Sequence, residues 1–594
     1  MENAAPSQLE QRLMAHLQTL YPNYDASELA RTCLARFNLD PKTESPRPHL
    51  NLWDQSDIML ITYADTLRTE GEAPLATLQK FIKNKLTDCI SAVHLLPFFP
   101  YSSDDGFSVM DYTTVNPASG RWGHISEIAK DFKVMGDLVI NHCSSRSMWF
   151  ENYKAGVNPG ATFFYEADPN ADLSAVIRPR TSPLLREVQT KNGEKHVWCT
   201  FSHDQVDLNF ENPDVLLEFL GIIRLYLEKG IRWFRLDAVA FLWKIPGTPC
   251  INLPQTHEMI RLLRLMIEHY APDSVIITET NIPNQENLTY FGNANEAHLI
   301  YNFSLPPLLI NSLITGNCAH LKQWLMSMPP AQQGTTYLNF IASHDGIGLR
   351  PTEGLLSEWE LETLINTMKR FGGRLSSRTT PQGEAKPYEI NISLWNALSG
   401  SVQQGPDQWQ FARFMCAAGV MMSLEGVPAF YIHSFFGTEN DNERVDNTGQ
   451  FRSINRHIWQ MDDLEHALNT PTHHQKVFNG LSRLTQIRRA QTSFHPNATQ
   501  YVLHMGDNLF AFWRQSLDRR QSLFAVYNMT DQPQSFNLSE LNLIATDDWR
   551  DLITDQIYED HLATVTLMPY QFVWLANKIG KVKLTQPTSS NTQS

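Results

Sequence analysis

Short apolar runs alternate with amphipathic stretches along most of the chain. Eight of these runs have the length and the β-branched or aromatic content of buried strands. They lie at about Ile58–Tyr63, Ala92–Pro97, Lys133–Ile140, Ile231–Leu236, Val275–Thr278, His298–Tyr301, Tyr337–Ala342 and Pro428–Ile432. Between them, apolar residues recur at helical spacing, as in Asp214–Lys229 and His257–His269. Strands that alternate with helices in this way predict an α/β fold.

Polar side chains suited to acid–base chemistry stand at the ends of four predicted strands. These endings are Asn141-His142, Arg235-Leu236-Asp237, Glu279 and His344-Asp345. Active sites of (β/α)8 barrel enzymes lie at the C-terminal ends of the strands. Four such endings in chain order therefore predict a TIM barrel with one active site.

Arg235 and Asp237 point to the same side of their strand, because side chains alternate along it. A guanidinium beside a carboxylate favours the ionised form at neutral pH, which suits a nucleophile. The same pattern also fits a structural ion pair at a strand end.

Two connections are longer than ordinary βα loops. Both leave the C-terminal face of the barrel, so both are expected to roof the active site. After about residue 490 the apolar pattern changes to a period of two, which predicts an antiparallel β domain. The predicted divisions are a helical extension (1–55), the catalytic barrel (56–142 and 202–489), an insertion domain (143–201), a loop insertion (346–406), the C-terminal β domain (490–580) and a disordered tail (581–594).

Composition narrows the partners and the compartment. The chain has 594 residues and a net charge of −15, without a Lys/Arg run, so it is a poor nucleic-acid or membrane binder. An anionic substrate would depend on local Arg or Lys residues. Seven scattered cysteines without a C-x-x-C predict free thiols in a reducing compartment. No signal peptide or long apolar segment stands out, so we expect a soluble, cytoplasmic monomer or homodimer.

The four strand endings resemble the short motifs of the α-amylase superfamily, glycoside hydrolase family 13. Further segments resemble its sucrose phosphorylase subfamily, and the long N-terminal segment resembles the branch acting on glucosylglycerol and glucosylglycerate. The resemblance runs from about Leu60 to about Tyr570. The segments are Leu60–Asp65, His94–Phe99, Ile177–Arg180, Gln205–Asp207, His344–Gly348 and Ile454–His457.

Retaining glycosidic chemistry needs two carboxyl groups roughly 5 Å apart. Asp237 fits the nucleophile. Glu279 fits the acid/base, since no Lys or Arg adjoins it in sequence and its pKa is free to rise. The resemblance implies that Asp345 stabilises the transition state without attacking.

The resemblance also implies a closed pocket for one glucose. Asp104 would bind its hydroxyls, Phe107 would lie beneath the ring, and His142 and His344 would hydrogen-bond to it. Arg452 resembles the arginine that pairs with Asp104 at the far end. One sugar would fit, which favours exo-action on small glucosides.

On the acceptor side, the resemblance implies that Arg180 binds phosphate, with Phe201 and Gln205 nearby. Tyr388-Glu389 stands where sucrose phosphorylases carry Tyr-Gln, and this departure puts sucrose in doubt. We therefore expect a retaining phosphorylase that forms α-D-glucose 1-phosphate, with phosphate as co-substrate. No calcium-loop pattern appears, so no metal or other cofactor is expected.

Three acceptors remain open. Glu389 would repel the carboxylate of glycerate, although Arg350 and Lys386 could offset it, so the sequence favours glycerol and hence 2-O-α-D-glucosylglycerol as substrate. Glucosylglycerate comes second, and sucrose or sucrose 6-phosphate third. Two other classes compete: an α-glucoside hydrolase or transglucosidase, disfavoured by Arg178-Pro179-Arg180, and a non-catalytic binding protein, disfavoured by the three carboxylates.

Overall fold

The computed structural model describes residues 6–379, 384–541 and 548–577, so the predicted tail lies outside the described residues. Eight parallel strands close into a barrel in which β1 pairs with both β2 and β8. The strands are β1 (Met59–Thr62), β2 (Ala92–Leu95), β3 (Lys133–Leu138), β4 (Ile231–Leu236), β5 (Val275–Thr278), β6 (Leu299–Tyr301), β7 (Thr336–Phe340) and β8 (Val427–Tyr431). The predicted (β/α)8 barrel is confirmed. Its strands could be recognised in the sequence because strands buried on both faces carry near-continuous apolar runs.

Helices surround the barrel and alternate with its strands. Several begin with proline in the first turn, for example Pro213–Glu228 and Pro254–Tyr270, where the missing N–H costs no hydrogen bond. The α-helices after β1 are Pro74–Lys85, Trp122–Asp131, Met148–Ala155, Pro213–Glu228, Pro254–Tyr270, Asn284–Leu288, Leu305–Thr315, Ala319–Ser327, Glu358–Arg370, Leu394–Ala397, Gln410–Ser423, Ile432–Phe436, Asn442–Thr448, Met461–Asn469 and His473–Arg489.

Two N-terminal helices, Gln8–Leu20 and Ala26–Phe37, pack on the outside of the barrel. Their buried faces repeat at helical spacing, through leucines in the first helix and Leu29 to Phe37 in the second. Ion pairs to the barrel helices, His16 to Glu258 and Arg36 to Glu218, both at 2.8 Å, hold their outer edges. They do not reach the catalytic face.

Two insertions cover the C-terminal face of the barrel. The first leaves and returns through an antiparallel pair, His142–Ser144 with Gln205–Asp207, and carries the hairpin Leu185–Thr190 with Gly193–Trp198. The second, which we call the roof, follows β7 and holds a three-stranded sheet. Its strands are Ile347–Gly348, Arg374–Thr379 and Ala385–Asn391.

An antiparallel β domain follows the last barrel helix, as predicted. Tyr527 donates a hydrogen bond to the carbonyl oxygen of Gly419 at 2.9 Å, which anchors this domain on the barrel helix Gln410–Ser423. Its strands are Thr499–Leu503, Leu509–Gln515, Ser522–Asn528, Gln534–Asn537, Trp549–Asp551, Ile557–Tyr558, Thr564–Leu567 and Phe572–Ala576. Short pairs elsewhere are Leu67–Arg68 with Trp459–Gln460, and Gly400–Ser401 with Gly405–Pro406.

All seven cysteines are buried free thiols. Among the described residues, no helix combines the length and the apolar character that crossing a bilayer would require.

Candidate active site

All fourteen residues proposed from the sequence line one pocket at the C-terminal end of the barrel. β3, β4, β5 and β7 supply its floor, and the insertion and the roof supply its walls. The residues are Asp104, Phe107, His142, Arg180, Phe201, Gln205, Arg235, Asp237, Glu279, His344, Asp345, Tyr388, Glu389 and Arg452.

Arg235 is the buried centre of the catalytic floor. Its Nη1 lies 2.7 Å from Asp237 Oδ1, and its Nη2 lies 3.9 Å from Glu279 Oε2. Asp137, which pairs with Arg235 in the β3–β4 register, makes an even closer contact to the same Nη1. Asp137 in turn lies 2.7 Å from His94 Nε2. The carboxyl groups of Asp237 and Glu279 therefore share one guanidinium, which is compatible with the short spacing that retaining chemistry needs, roughly 5 Å.

Arg235 is not the only influence on the charge of Asp237. Burial raises the pKa of Asp237, and this exceeds the lowering by Arg235, whose charge is divided among three carboxylates. Burial also raises the pKa of Glu279. Since Asp237 has the closer guanidinium contact, it takes the negative charge of this pair and Glu279 takes the proton.

The backbone after Asp237 is bent into an unusual conformation. Ala238 has a φ of 50°, a left-handed value that costs a non-glycine residue about 1–2 kcal/mol. This turn aims the Ala238 N–H at Glu279, and it donates a hydrogen bond to Oε2 at 3.0 Å. Strained residues of this kind persist where the surrounding structure holds them, as they do in active sites.

Asp345 is held as a carboxylate. Burial alone would raise its pKa, but Arg452, His344 and Arg456 together lower it. Arg452 Nη1 lies 2.7 Å from Asp345 Oδ1. A carboxylate that stays charged through the reaction suits a group that stabilises a developing positive charge.

The predicted pairing of Arg452 with Asp104 is wrong. Arg452 donates two hydrogen bonds to Glu389, at 2.8 and 2.9 Å, and contacts Asp345. Asp104 Oδ2 instead accepts from Gln205 Nε2 at 3.2 Å, and Arg456 pairs with Asp105 at 2.7 Å. The physical reason is Glu389, because its carboxylate binds the Arg452 guanidinium from the roof.

Neutral and aromatic groups line the end of the pocket where the sequence predicted the glucose. Phe107 stacks on His344 with ring centroids 5.0 Å apart. His142 Nε2 lies 3.0 Å from the Phe107 carbonyl oxygen. Burial lowers the pKa of both histidines, so both are neutral at pH 7 and suited to bonding sugar hydroxyls. Asp104 reaches the pocket from a turn in which it and Asp105 have left-handed φ values of 54° and 45°.

Arg180 lies between two aromatic rings at the other end of the pocket. Its guanidinium carbon is 5.7 Å from the ring centre of Phe201 and 5.4 Å from that of Tyr388. Among the described residues, no carboxylate pairs with it; its one hydrogen bond goes to the Pro179 carbonyl oxygen at 3.3 Å. The rings fix the position of the cation and leave its donors available.

Arg350 also lines this end of the pocket. The sequence placed Arg350 on the roof but did not show the direction of its side chain. It is 9% exposed, and in the described part of the chain no group pairs with its guanidinium, whose Nε is buried without a partner. Burial lowers its pKa, although the charges of Glu353 and Glu286 act in the opposite direction without forming an ion pair with it in the described chain. Lys386, the other cation considered, is exposed on the roof and is not among the pocket residues.

Lys244 is a buried residue beside the site that the sequence did not reveal. Its buried Nζ lies 2.9 Å from Asp207 Oδ2 and 2.9 Å from Asn141 Oδ1. This pairing ties the insertion to the strand end that carries His142. The motif Gln205-Val206-Asp207 indicated that Asp207 belongs near the site. Nothing in the sequence around Lys244 indicated that Lys244 pairs with Asp207.

Comparisons with known proteins agree with this geometry. The family profile "Alpha amylase, catalytic domain" matches residues 85–348. A glucosylglycerate phosphorylase of Spirochaeta thermophila is 43% identical over 478 residues, which cover 80% of this chain and 81% of that protein. A glucosylglycerol phosphorylase of Marinobacter adhaerens is 26% identical over 427 residues, 70% of this chain and 84% of that protein.

A solved structure, the sucrose 6F-phosphate phosphorylase from Thermoanaerobacter thermosaccharolyticum, shares the fold with a TM-score of 0.70 at 23% identity. The match covers 80% of this chain and 94% of that one.

Proposed function

Since this chain belongs to the α-amylase superfamily and is a glycoside phosphorylase of its sucrose phosphorylase group, we propose that its substrate is 2-O-α-D-glucosylglycerate. In this reaction, glucosylglycerate and phosphate give α-D-glucose 1-phosphate and glycerate. This replaces glycerol, which the sequence alone favoured, as the leading acceptor.

The unpaired charge of Arg350 is the observation that carries the choice of glycerate. A nearly buried cation without a partner is costly, and a carboxylate in contact with it recovers that cost. Glycerol and fructose have no charge to offer, whereas glycerate has a carboxylate. The relative that shares 43% identity is named for the same acceptor.

The repulsion expected from Glu389 is offset within the site. Both of its carboxylate oxygens are bonded to Arg452, so its charge is neutralised at short range. The pocket's remaining cations without a carboxylate partner in the described chain, Arg180 and Arg350, both lie near Tyr388. The acceptor end is thus electropositive and suits an anion.

The proposed mechanism is a double displacement. Asp237 attacks the anomeric carbon while Glu279 protonates the oxygen of the departing glycerate, which leaves a covalent glucosyl-enzyme. Phosphate then enters the acceptor end, Glu279 removes its proton, and the phosphate oxygen attacks the anomeric carbon. Asp345 stabilises the positive charge that develops in both steps, and Arg235 holds the Asp237 carboxylate in place. Two inversions retain the α configuration, and the route requires no metal.

The acceptor is tested by synthesis from α-D-glucose 1-phosphate. We expect phosphate release with glycerate to exceed release with glycerol, fructose or fructose 6-phosphate by about tenfold or more, which corresponds to about 1.4 kcal/mol. Initial rates at equal acceptor concentrations measure this. A preference for glycerol or a fructose compound would refute the proposed substrate, and glucose release without any acceptor dependence would indicate a hydrolase.

Arg180→Ala is expected to weaken phosphate use more than hydrolysis. Phosphate needs a cation with free donors, whereas water does not, and the loss of a charge-assisted bond costs about 1.5–3 kcal/mol. Phosphorolysis should fall about 10- to 100-fold, while slow hydrolysis of glucosylglycerate in the absence of phosphate changes little. Arg186→Ala is the matched control, because Arg186 lies in the same insertion and bonds the His203 carbonyl oxygen outside the pocket. Equal losses in both reactions would show that Arg180 only supports the insertion.

A further inference from the structure

We propose that Glu389 is a positioning residue that holds Arg452 against Asp345 and so couples the position of the roof strand Ala385–Asn391 to transition-state stabilisation. The inference rests on the proposed function through its double-displacement mechanism. It does not depend on which acceptor the enzyme uses. Glu389 stands where sucrose phosphorylases carry a glutamine. The coupling therefore depends on the acidic residue that this chain has at that position.

The contact geometry forms a relay of three side chains. Glu389 is 2% exposed and accepts from Nε and Nη2 of Arg452, at 2.8 and 2.9 Å. The remaining nitrogen, Nη1, lies 2.7 Å from Asp345 Oδ1. Because a bidentate pair fixes the plane of the guanidinium, the position of Nη1 follows from that of Glu389.

A β-bulge in the roof places Glu389 and its neighbour in the same pocket. Ser376 pairs with Glu389 and Ser377 with Pro387, so Tyr388 is the extra residue between them. Successive residues of a regular strand face opposite sides, and a bulge re-aims one of them. Tyr388 thereby faces Arg180, and Glu389 faces Arg452.

The roof is also tied to the backbone beside Asp345. Gly348 pairs with Glu389, and Ile347 with Ile390. A Cβ at Gly346 would lie 3.1 Å from Glu389 Cγ and 2.8 Å from the Ile390 carbonyl oxygen, so only glycine permits this approach. Asp345 and the hairpin are therefore close-packed, and displacing the hairpin would release Arg452.

The relay also sets the charge around Glu279. Burial raises the pKa of Glu279, and Arg452 is among the charges that lower it. Glu389 opposes that effect by offsetting Arg452. Removal of the Glu389 charge should thus lower the pKa of Glu279, and the enzyme should lose its proton donor at a lower pH.

The test compares Glu389→Gln, which keeps the shape and removes the charge, with Glu362→Gln, an exposed position on the roof helix Glu358–Arg370. We expect Glu389→Gln to reduce kcat/KM for phosphorolysis about 10- to 100-fold and to move the basic limb of the pH profile to lower pH. The acid limb and the control variant should be unchanged, and Glu389→Gln should remain folded at the assay temperature although its unfolding temperature falls.

A purely structural role predicts lost activity with an unmoved pH profile, and that result would overturn the inference. So would wild-type activity in Glu389→Gln. The slow hydrolysis of α-D-glucose 1-phosphate, which needs no acceptor, separates the two proposals. If wild type rejects glucosylglycerate while Glu389→Gln still slows this hydrolysis, the proposed substrate fails and the positioning role stands.

Discussion

Replacement of Asp237 with asparagine is expected to abolish turnover while the fold stays intact. The variant removes the nucleophile and leaves Arg235, Glu279 and Asp345 in place. Loss of the covalent route should lower kcat at least about 1,000-fold, which corresponds to about 4 kcal/mol of barrier. Initial rates of phosphorolysis, with trapping of any glucosyl-enzyme, measure the effect.

The same variant makes a second prediction about stability. Because burial raises the pKa of Asp237 in the folded protein, the charged form costs folding free energy at neutral pH. Asparagine carries no charge, so the unfolding temperature should be unchanged or higher. Asp463→Asn, an exposed position in the helix Met461–Asn469, is the control. More than a tenth of wild-type activity in Asp237→Asn would contradict the double-displacement assignment.

The barrel could be predicted from the sequence because its strands are buried on both faces. Their apolar runs are short and near-continuous, and each predicted boundary lies within about two residues of the observed strand. The polar strand endings followed from the same logic, since parallel strands bring their C-terminal ends to one face. Sequence alone therefore gathered Asp237, Glu279 and Asp345 correctly.

The ion pairs of the site could not be predicted in the same way. Arg452 has a long side chain and comes from a segment far from its partners, so its direction depends on which carboxylate the roof presents. The bulge at Tyr388 turns Glu389 toward it, and no sequence pattern marks that bulge. Likewise, the spacing of Arg235 and Asp237 predicted their contact. It did not indicate that Asp137 contacts the same nitrogen of Arg235.

The choice of acceptor from sequence met the same physical limit. Glu389 was treated as a free negative charge, whereas in the fold it is bonded through both oxygens to Arg452. Arg350 and Lys386 looked equivalent in sequence, yet only Arg350 lines the pocket. The net charge that a ligand meets depends on which charged side chains pair, and that pairing is set by the folded structure.

Arg350→Ala is expected to remove the preference for glycerate over glycerol. The guanidinium is the nearly buried, unpaired cation at the acceptor end, so its loss deprives the glycerate carboxylate of its partner. A charged hydrogen bond is worth about 1.5–3 kcal/mol, so kcat/KM for glycerate should fall about 10- to 100-fold. The rate with glycerol should change little, because glycerol has no charge to pair.

Lys386→Ala is the matched control, because Lys386 is an exposed cation on the same roof that does not line the pocket. Both variants are compared by phosphate release from α-D-glucose 1-phosphate across a series of glycerate and glycerol concentrations. Arg350→Ala also removes a buried charge without a partner, so its unfolding temperature should not fall through lost ion pairing. If glycerate and glycerol lose rate equally in Arg350→Ala, the residue shapes the pocket without reading the carboxylate. If Lys386→Ala alone lowers the rate with glycerate, the roof moves over the acceptor in solution and Lys386 is the partner instead.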